Sequence, residues 1–176
     1  MSRLASMELS IRAGIAADID EIVRIFRECW QEAYVDVLSQ DVRDAMSLEK
    51  AYELWKPSLA SNSDRETLVA CIGNKAVGMA RIGSDPELPS CGHLFSLYIE
   101  PKSGGKGFGR ELLTAALAKL SERNFTEISL WVFNANPAAI GLYRKMGFIL
   151  TGRERTDPRW RSVEVEMLHK LNSSQI

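Results

Sequence analysis

Between residues 104 and 109 the chain reads Gly104-Gly105-Lys106-Gly107-Phe108-Gly109, so four of its twelve glycines fall in one short stretch. Before it lies the most strand-like run of the sequence, Gly92 to Ile99, whose alternation predicts His93, Phe95, Leu97 and Ile99 on one face. After it, Leu112, Leu113, Ala116, Leu117 and Leu120 recur at helical spacing and predict a helix ending near Asn124. A strand-to-helix loop with almost no side chains to shield its amides is a ready anion cradle. Its N–H groups and the positive end of the helix dipole act on the same spot. Lys102, Lys106 and Arg110 reinforce that sign. The same glycines also suit a turn required by backbone geometry alone, and the local sequence leaves both readings open. A nucleotide triphosphatase loop is excluded because no Gly-Lys-Ser or Gly-Lys-Thr closes the segment. A dinucleotide fingerprint needs G-x-G-x-x-G, whereas this segment reads G-x-G-x-G and follows strands of hairpin character.

The rest of the chain surrounds that loop with strands and helices in a definite order. After an early strand, Asp18-Ile19-Asp20-Glu21 reads as a capped helix start, followed by Ile22, Phe26, Trp30 and Ala33 at helical spacing. A second helical region is expected from about Asp41 to Leu59, with Ser47 as an internal cap and Pro57 near its end. Thr67 to Ile72 and Lys75 to Ile82 flank Gly73-Asn74, a hairpin signal because both turn residues tolerate positive φ. Ser84 to Ser90 is a loop and Ile128 to Phe133 a strand. Asn136-Pro137 then opens a helix as cap and first-turn proline, and Gly147 stops it. Phe148 to Thr151 and Ser162 to Leu168 complete the pattern as strands. The implied fold class is α/β (α+β): a mixed, mostly antiparallel central sheet of six to seven strands with helices on both faces.

Composition narrows the partners. At 176 residues, 45% apolar and 26% charged, the chain suits one soluble core, expected over residues 9–172 behind a loose leader at 1–8. Lys and Arg number 22 against 23 Asp and Glu, a net charge of −1, so nothing global favours nucleic acid or an anionic membrane. Cys29, Cys71 and Cys91 are widely spaced and offer no paired-cysteine motif, which reads as reduced thiols in a cytoplasmic protein. With only His93 and His169 to join them, no metal site is expected. No stretch approaches the roughly 20 apolar residues of a membrane span.

Read together, the segments Leu94 to Pro101, Gly104 to Gly109, Trp131 to Ala139 and Leu142 to Phe148 resemble the GNAT superfamily of N-acetyltransferases. The specific part is a pair of motifs: a strand ending at Pro101 before a Q/R-x-x-G-x-G/A loop, then V-x-x-x-N-x-x-A-x-x-x-Y-x-x-x-G-F. The second is met by Val132, Asn136, Ala139, Tyr143, Gly147 and Phe148. Gly104 departs from the pattern, standing where the family has Gln or Arg, which removes a side-chain contact to phosphate. The resemblance implies acetyl-CoA as co-substrate. The residues expected to hold it are Leu97, Tyr98 and Ile99 on the strand, Gly104, Gly105, Lys106, Gly107, Phe108, Gly109 and Arg110 around the loop, and Asn136 and Tyr143 beyond.

The chemistry then calls for an acid and a base. A primary amine with a pKa of about 10.4 is protonated at neutral pH, so a base must take its proton before it attacks a thioester. His93 is the first candidate, at the position where some family members carry a Glu base. A packed strand histidine is the competing reading. Glu100 is the second candidate, against an ordinary solvated carboxylate. Tyr143 resembles the family's general acid for the departing thiolate, its alternative being an aromatic packed with Leu142 and Met146. Asn136 serves equally as helix cap and as a contact to the CoA arm.

The acceptor is expected to be an amine-bearing small molecule or protein N-terminus, with Gln31 to Leu38 and Arg153 to Arg161 as walls. Arg153, Arg155, Arg159 and Arg161 would there meet either an acidic acceptor or solvent, and Trp30, Tyr34 and Trp55 are expected in the core. A homodimer is an allowed assembly. The expected activity is direct acetyl transfer in a ternary complex, without a covalent intermediate. The rivals are a noncatalytic acyl-CoA sensor and a dinucleotide-binding domain.

Overall fold

In the computed structural model, which describes residues 8–61 and 63–171, seven strands form one sheet in the order β1-β2-β3-β4-β5-β7-β6. They are β1 (Leu9–Ala13), β2 (Glu66–Ile72), β3 (Lys75–Ser84), β4 (Gly92–Ile99), β5 (Glu127–Phe133), β6 (Ile149–Thr156) and β7 (Val163–Lys170). Every pairing is antiparallel except β4 with β5. The long helix α4 (Phe108–Glu122) supplies that parallel crossover, and α5 (Pro137–Lys145) joins it on the same face. The opposite face is covered by α1 (Ile19–Glu28), α2 (Gln40–Ala45) and α3 (Leu48–Trp55). The mixed, mostly antiparallel sheet expected from the sequence is the observed one. The leader expected at 1–8 lies, for residues 1–7, outside the described residues.

Local chemistry explains most boundaries. The Asn136 side chain accepts from the Ala139 amide at 3.1 Å, Pro137 occupies the first turn, and Gly147 ends α5 at φ +92°. Gly73 takes φ +59° in the β2–β3 turn, whereas Asn74 needs no positive φ.

Four expectations need correction. The helical region expected over 41–59 is interrupted at Met46, where Ser47, the expected internal cap, accepts from the Lys50 amide at 3.2 Å and starts α3 afresh. Asp18 stands at the start of α1 but does not cap it. Its carboxylate takes the Ile15 amide at 2.8 Å and the Arg12 guanidinium at 2.7 Å. After Glu28 the first helix widens into a π-helical turn, Cys29–Ala33, closed by the Tyr34 amide on the Cys29 carbonyl at 3.1 Å.

The fourth correction bears on the site. Ile82 pairs with Leu94 but Arg81 pairs with Ser96, so Phe95 is an extra residue bulging from β4. The bulge reverses the alternation. Leu94, Leu97 and Ile99 pack toward α4, while Tyr98 joins the cluster around α1 and α3. His93 therefore does not share a face with Leu97 and Ile99.

Candidate active site

The β4–β5 ladder closes for only three pairs, Gly92 with Ile128, His93 with Ser129 and Leu94 with Leu130. Beyond them β4 runs on beside β3 and β5 beside β7, so the sheet splits into a V-shaped gap. That gap is the floor of a cleft of about 670 Å³. Leu97, Tyr98 and Ile99 line its β4 side, and Val132 and Phe133 its β5 side. Strand edges left unpaired in this way offer backbone groups to an extended ligand arm.

One mouth of the cleft is built by the glycine loop. Gly107 precedes α4 at φ +85° and Gly105 lies at φ +73°; a Cβ on either would meet no atom, so the backbone conformation itself demands glycine. The Arg110 and Glu111 amides are taken by the Gly107 carbonyl at 3.0 and 3.1 Å, and the Gly104 amide by Pro101. The amides of Gly105 to Gly109 have no such acceptor, which leaves a row of donors at a helix start. Gly104, Gly105, Gly107, Phe108 and Gly109 line the cleft; Lys106 and Arg110 stand outside its lining. The missing Gln or Arg side chain at 104 leaves the amide row intact.

Tyr143 projects from α5 into the same cleft at 7% exposure, its ring 5.8 Å from that of Phe148. Burial, with a smaller contribution from Tyr98, raises its phenol well above the usual value. It remains a proton donor at any physiological pH. Asn136 lines the cleft while capping α5, so both roles expected of it are compatible.

His93 lies at the opposite end. Its Nδ1 is 2.6 Å from the Ser129 hydroxyl, which donates in turn to the Asp85 carboxylate, and Asp85 itself approaches Nδ1 at 3.3 Å. Asp85 also takes the Glu87 and Leu88 amides at 2.8 and 3.1 Å. Burial alone would raise its pKa, yet these hydrogen bonds, led by Ser129, hold it below the ordinary value. Burial pushes His93 down to about 4, against the pull of Asp85. The ring is neutral at pH 7, with Nδ1 committed to the Ser129–Asp85 side and Nε2 free to accept. His93 and Asp85 line the cleft.

Glu100 is a correction. It does not line the cleft and is 1% exposed, its carboxylate taking Arg24 at 2.9 Å and the Ser103 hydroxyl at 2.7 Å, with Lys75 and Lys102 at 3.5 and 3.6 Å. Burial opposes its ionisation, but Ser103 and Arg24 outweigh burial and keep it charged. It ties the end of β4 to α1 and to the turn before the glycine loop, outside the cleft lining.

The wall of the cleft beside the π-helical turn, where the acceptor is expected, is aromatic. Trp30 and Tyr34, brought inward by the π-helical turn, line the cleft with Trp160 and Tyr98; Trp160 meets Trp30 edge-on at 5.2 Å. All three aromatics expected in the core belong to or pack against the cluster around α1 and α3, and Trp55 alone of them does not also line the cleft. The arginines of the 153–161 segment are neutralised. Arg155 pairs with Glu164 at 2.7 Å, Arg153 with Glu166 and Glu87, Arg159 with Asp157 at 2.5 Å, and Arg161 with Asp41. Sequence reading missed Asp85, Ser129 and Arg81. Of these only Arg81 carried a local signal, a guanidinium between Ala80 and Ile82 in an otherwise apolar strand.

A mixed sheet split between two parallel strands, with a helix N-terminus at the mouth of the split, is the arrangement that defines the class of this fold. The Acetyltransferase (GNAT) family model matches residues 19–148, and the chain belongs to that family. A spermidine N(1)-acetyltransferase of Thermoplasma acidophilum is 24% identical over 156 residues, 86% of this chain and 94% of that protein. The crystal structure of a PaiA N-acetyltransferase from Thermoplasma acidophilum in complex with coenzyme A superposes with a TM-score of 0.75 at 24% identity, covering 93% of this chain and 99% of that one. YncA of Salmonella typhimurium, a structure containing acetyl-CoA, gives 0.70 at 19% identity over 94% and 95%. The co-substrate of the family is acetyl-CoA, and the amides of Gly105 to Gly109 are without a backbone acceptor among the described residues at the mouth of the cleft.

Proposed function

We propose that residues 9–172 form one acetyltransferase domain that moves acetyl from acetyl-CoA to a primary amine by direct attack, with His93 as base and Tyr143 as acid. The observation that carries this reading is that the amide row, the Tyr143 phenol and the neutral His93 ring all open onto one cleft. The Gly105–Gly109 amides and Asn136 hold the phosphate-bearing arm, and the unpaired edge of β4 from Leu97 to Ile99 directs the acetyl group inward.

Ser129 and Asp85 keep the proton of His93 on Nδ1, so Nε2 faces the amine as an acceptor. A ring with a pKa of about 4 is a weak base. The acceptor gives its first proton to solvent and attacks as the free amine; once the new N–C bond makes the nitrogen's remaining proton acidic, His93 takes it as the thioester C–S bond breaks. Tyr143 gives its proton to the departing sulfur and is restored from solvent. No side chain forms a covalent bond to the acetyl group. The three cysteines are buried, and burial raises the thiol pKa of each, which keeps them un-nucleophilic.

Release of free thiol from acetyl-CoA across an amine panel tests the reading. Acceptor-dependent release with product stoichiometric to thiol is expected. Acetyl-CoA binding with no turnover on any amine favours the sensor instead.

A further inference from the structure

Arg81, in β3, is 8% exposed and lines the cleft. Its Nη1 donates to the Leu54 carbonyl at 3.0 Å, its Nε is buried with no partner, and no carboxylate among the described residues pairs with it. Arginine is almost never buried unless paired, because an uncompensated charge loses its hydration. Burial pulls its pKa down to about 10. Arg65 stands nearby with no ion pair among the described residues, its guanidinium 4.1 Å from the centre of the Phe95 ring, while Arg81 lies 5.9 Å from the same centre. The other cleft arginines, Arg155 and Arg159, are each matched by a carboxylate. A second orphan donor, the indole Nε1 of Trp30, belongs to another residue of the lining. The acceptor end thus has N–H donors and positive charge to spare and lacks an acceptor for them.

We propose that the amine acceptor also carries a carboxylate, and that Arg81, helped by Arg65, binds that carboxylate. This rests on the acetyltransferase reading above. The bulged Phe95 ring ties the two ends together: its centre is 4.6 Å from the His93 ring and 4.1 and 5.9 Å from the Arg65 and Arg81 guanidiniums. An amine at His93 and a carboxylate at Arg81 would then lie about the same ring, within the span of one small amino acid. A planar guanidinium with a free edge matches a carboxylate bidentately. A polycation such as spermidine meets two uncompensated guanidiniums and is disfavoured. Stacking 4.8 Å over Trp55 while holding the last turn of α3 gives Arg81 a structural role as well, so the test must separate the two.

The experiment compares kcat/KM for proteinogenic L-amino acids, for their carboxamides and for spermidine, in wild type, Arg81→Met, Arg81→Lys and Arg65→Ala. Wild type is expected to prefer the best acid over its amide by on the order of 10²-fold or more, as for a buried donor left without its partner. In Arg81→Met that ratio falls toward one while acetyl-CoA still raises Tm; Arg81→Lys restores part of it, and exposed Arg65→Ala lowers it several-fold. Equal use of acid and amide by wild type, preference for spermidine, or an Arg81→Met variant that lowers both substrates in proportion overturns the proposal. If Arg81→Met does not fold, the wild-type ratio and Arg65→Ala decide it alone. Silence on every amine with acetyl-CoA still bound overturns the transferase reading as well, whereas turnover of spermidine alone overturns only this one.

Discussion

His93 Nδ1 and the Ser129 hydroxyl lie 2.6 Å apart, joining two adjacent parallel strands one pair before they separate. Beyond the next pair, Leu94 with Leu130, β4 and β5 part and the cleft begins. The base candidate is thus held beside the apex of the split, and the Ser129–Asp85 link engages Nδ1 and leaves Nε2 without a partner among the described residues. Removing Ser129 should disturb orientation more than basicity. Ser129→Ala is expected to lower kcat by roughly tenfold while the KM for acetyl-CoA stays close to wild type. An unchanged kcat would take the proton relay out of the mechanism.

The depressed pKa of His93 has a consequence for stability. The ring takes up a proton near pH 6.5 in the unfolded chain and near 4 in the folded one, so between those values the unfolded state binds more protons. Stability is therefore full above about pH 6.5 and falls as the pH drops toward 4, with an upper limit of about 3 kcal/mol from this group. His93→Gln should flatten the urea-unfolding free energy across that window and reduce kcat by ~10²-fold or more. By the same shift, an activity limb centred near pH 6.5 in wild type would belong to another group.

Glycine at 107 and 109 serves two different ends, and the variants separate them. Gly107→Asp introduces both a side chain at φ +85° and a negative charge beside the amide row. Gly109 has an ordinary backbone, and a Cβ there would sit 3.5 Å from Leu142 Cδ2, so Gly109→Glu adds charge with little strain. Wild type should gain about 2.7 kcal/mol from acetyl-CoA at a hundredfold excess over Kd, with NAD and ATP giving much less. Both variants should lose that gain, and only Gly107→Asp should lose intrinsic stability too. A Gly109→Glu protein stabilised as well as wild type would mean the loop does not bind the phosphates.

What could be read from sequence and what could not divides by distance along the chain. The glycine loop, the Asn136 cap, the Gly73 turn and the amphipathic α4 are local signals, each carried by residues within one or two turns of each other. The Phe95 bulge is invisible without the β3 partner that it fails to match. His93 to Ser129 and Ser129 to Asp85 span 36 and 44 residues, and Arg24 reaches Glu100 across 76, so no window contains either partnership. Glu100 looked like a solvated strand end for that reason. The basic 153–161 segment read as unpaired charge because Glu164 and Glu166 become its partners only when β6 folds against β7.

Glu100 tests that correction directly. As a buried carboxylate tying Arg24 to Ser103, it should cost about 1–3 kcal/mol on Glu100→Ala, since Ser103 loses its acceptor while Arg24 keeps Glu21 and Glu28. Turnover per folded molecule should fall far less than in His93→Gln. Chemical denaturation and active-site-normalised kcat on the same preparation check both halves. A kcat collapse with stability intact would return Glu100 to the base role.

Tyr143→Phe separates acid catalysis from packing, because it keeps the ring against Phe148 and removes one hydroxyl. Burial keeps that phenol protonated, so the group can donate to sulfur and cannot act as a base. Acetyl-CoA binding should persist while kcat falls by roughly 10- to 10³-fold, the cost of losing a positioned acid. The deficit should also depend on the leaving group: an acyl donor whose thiol has a lower pKa needs less protonation, so its turnover should be closer to wild type than that of acetyl-CoA. A purely structural Tyr143 gives the opposite pattern, with kcat near wild type, no dependence on the thiol, and a stability change of at most about 1 kcal/mol. Measuring both donors and the unfolding free energy on one preparation decides between the two roles.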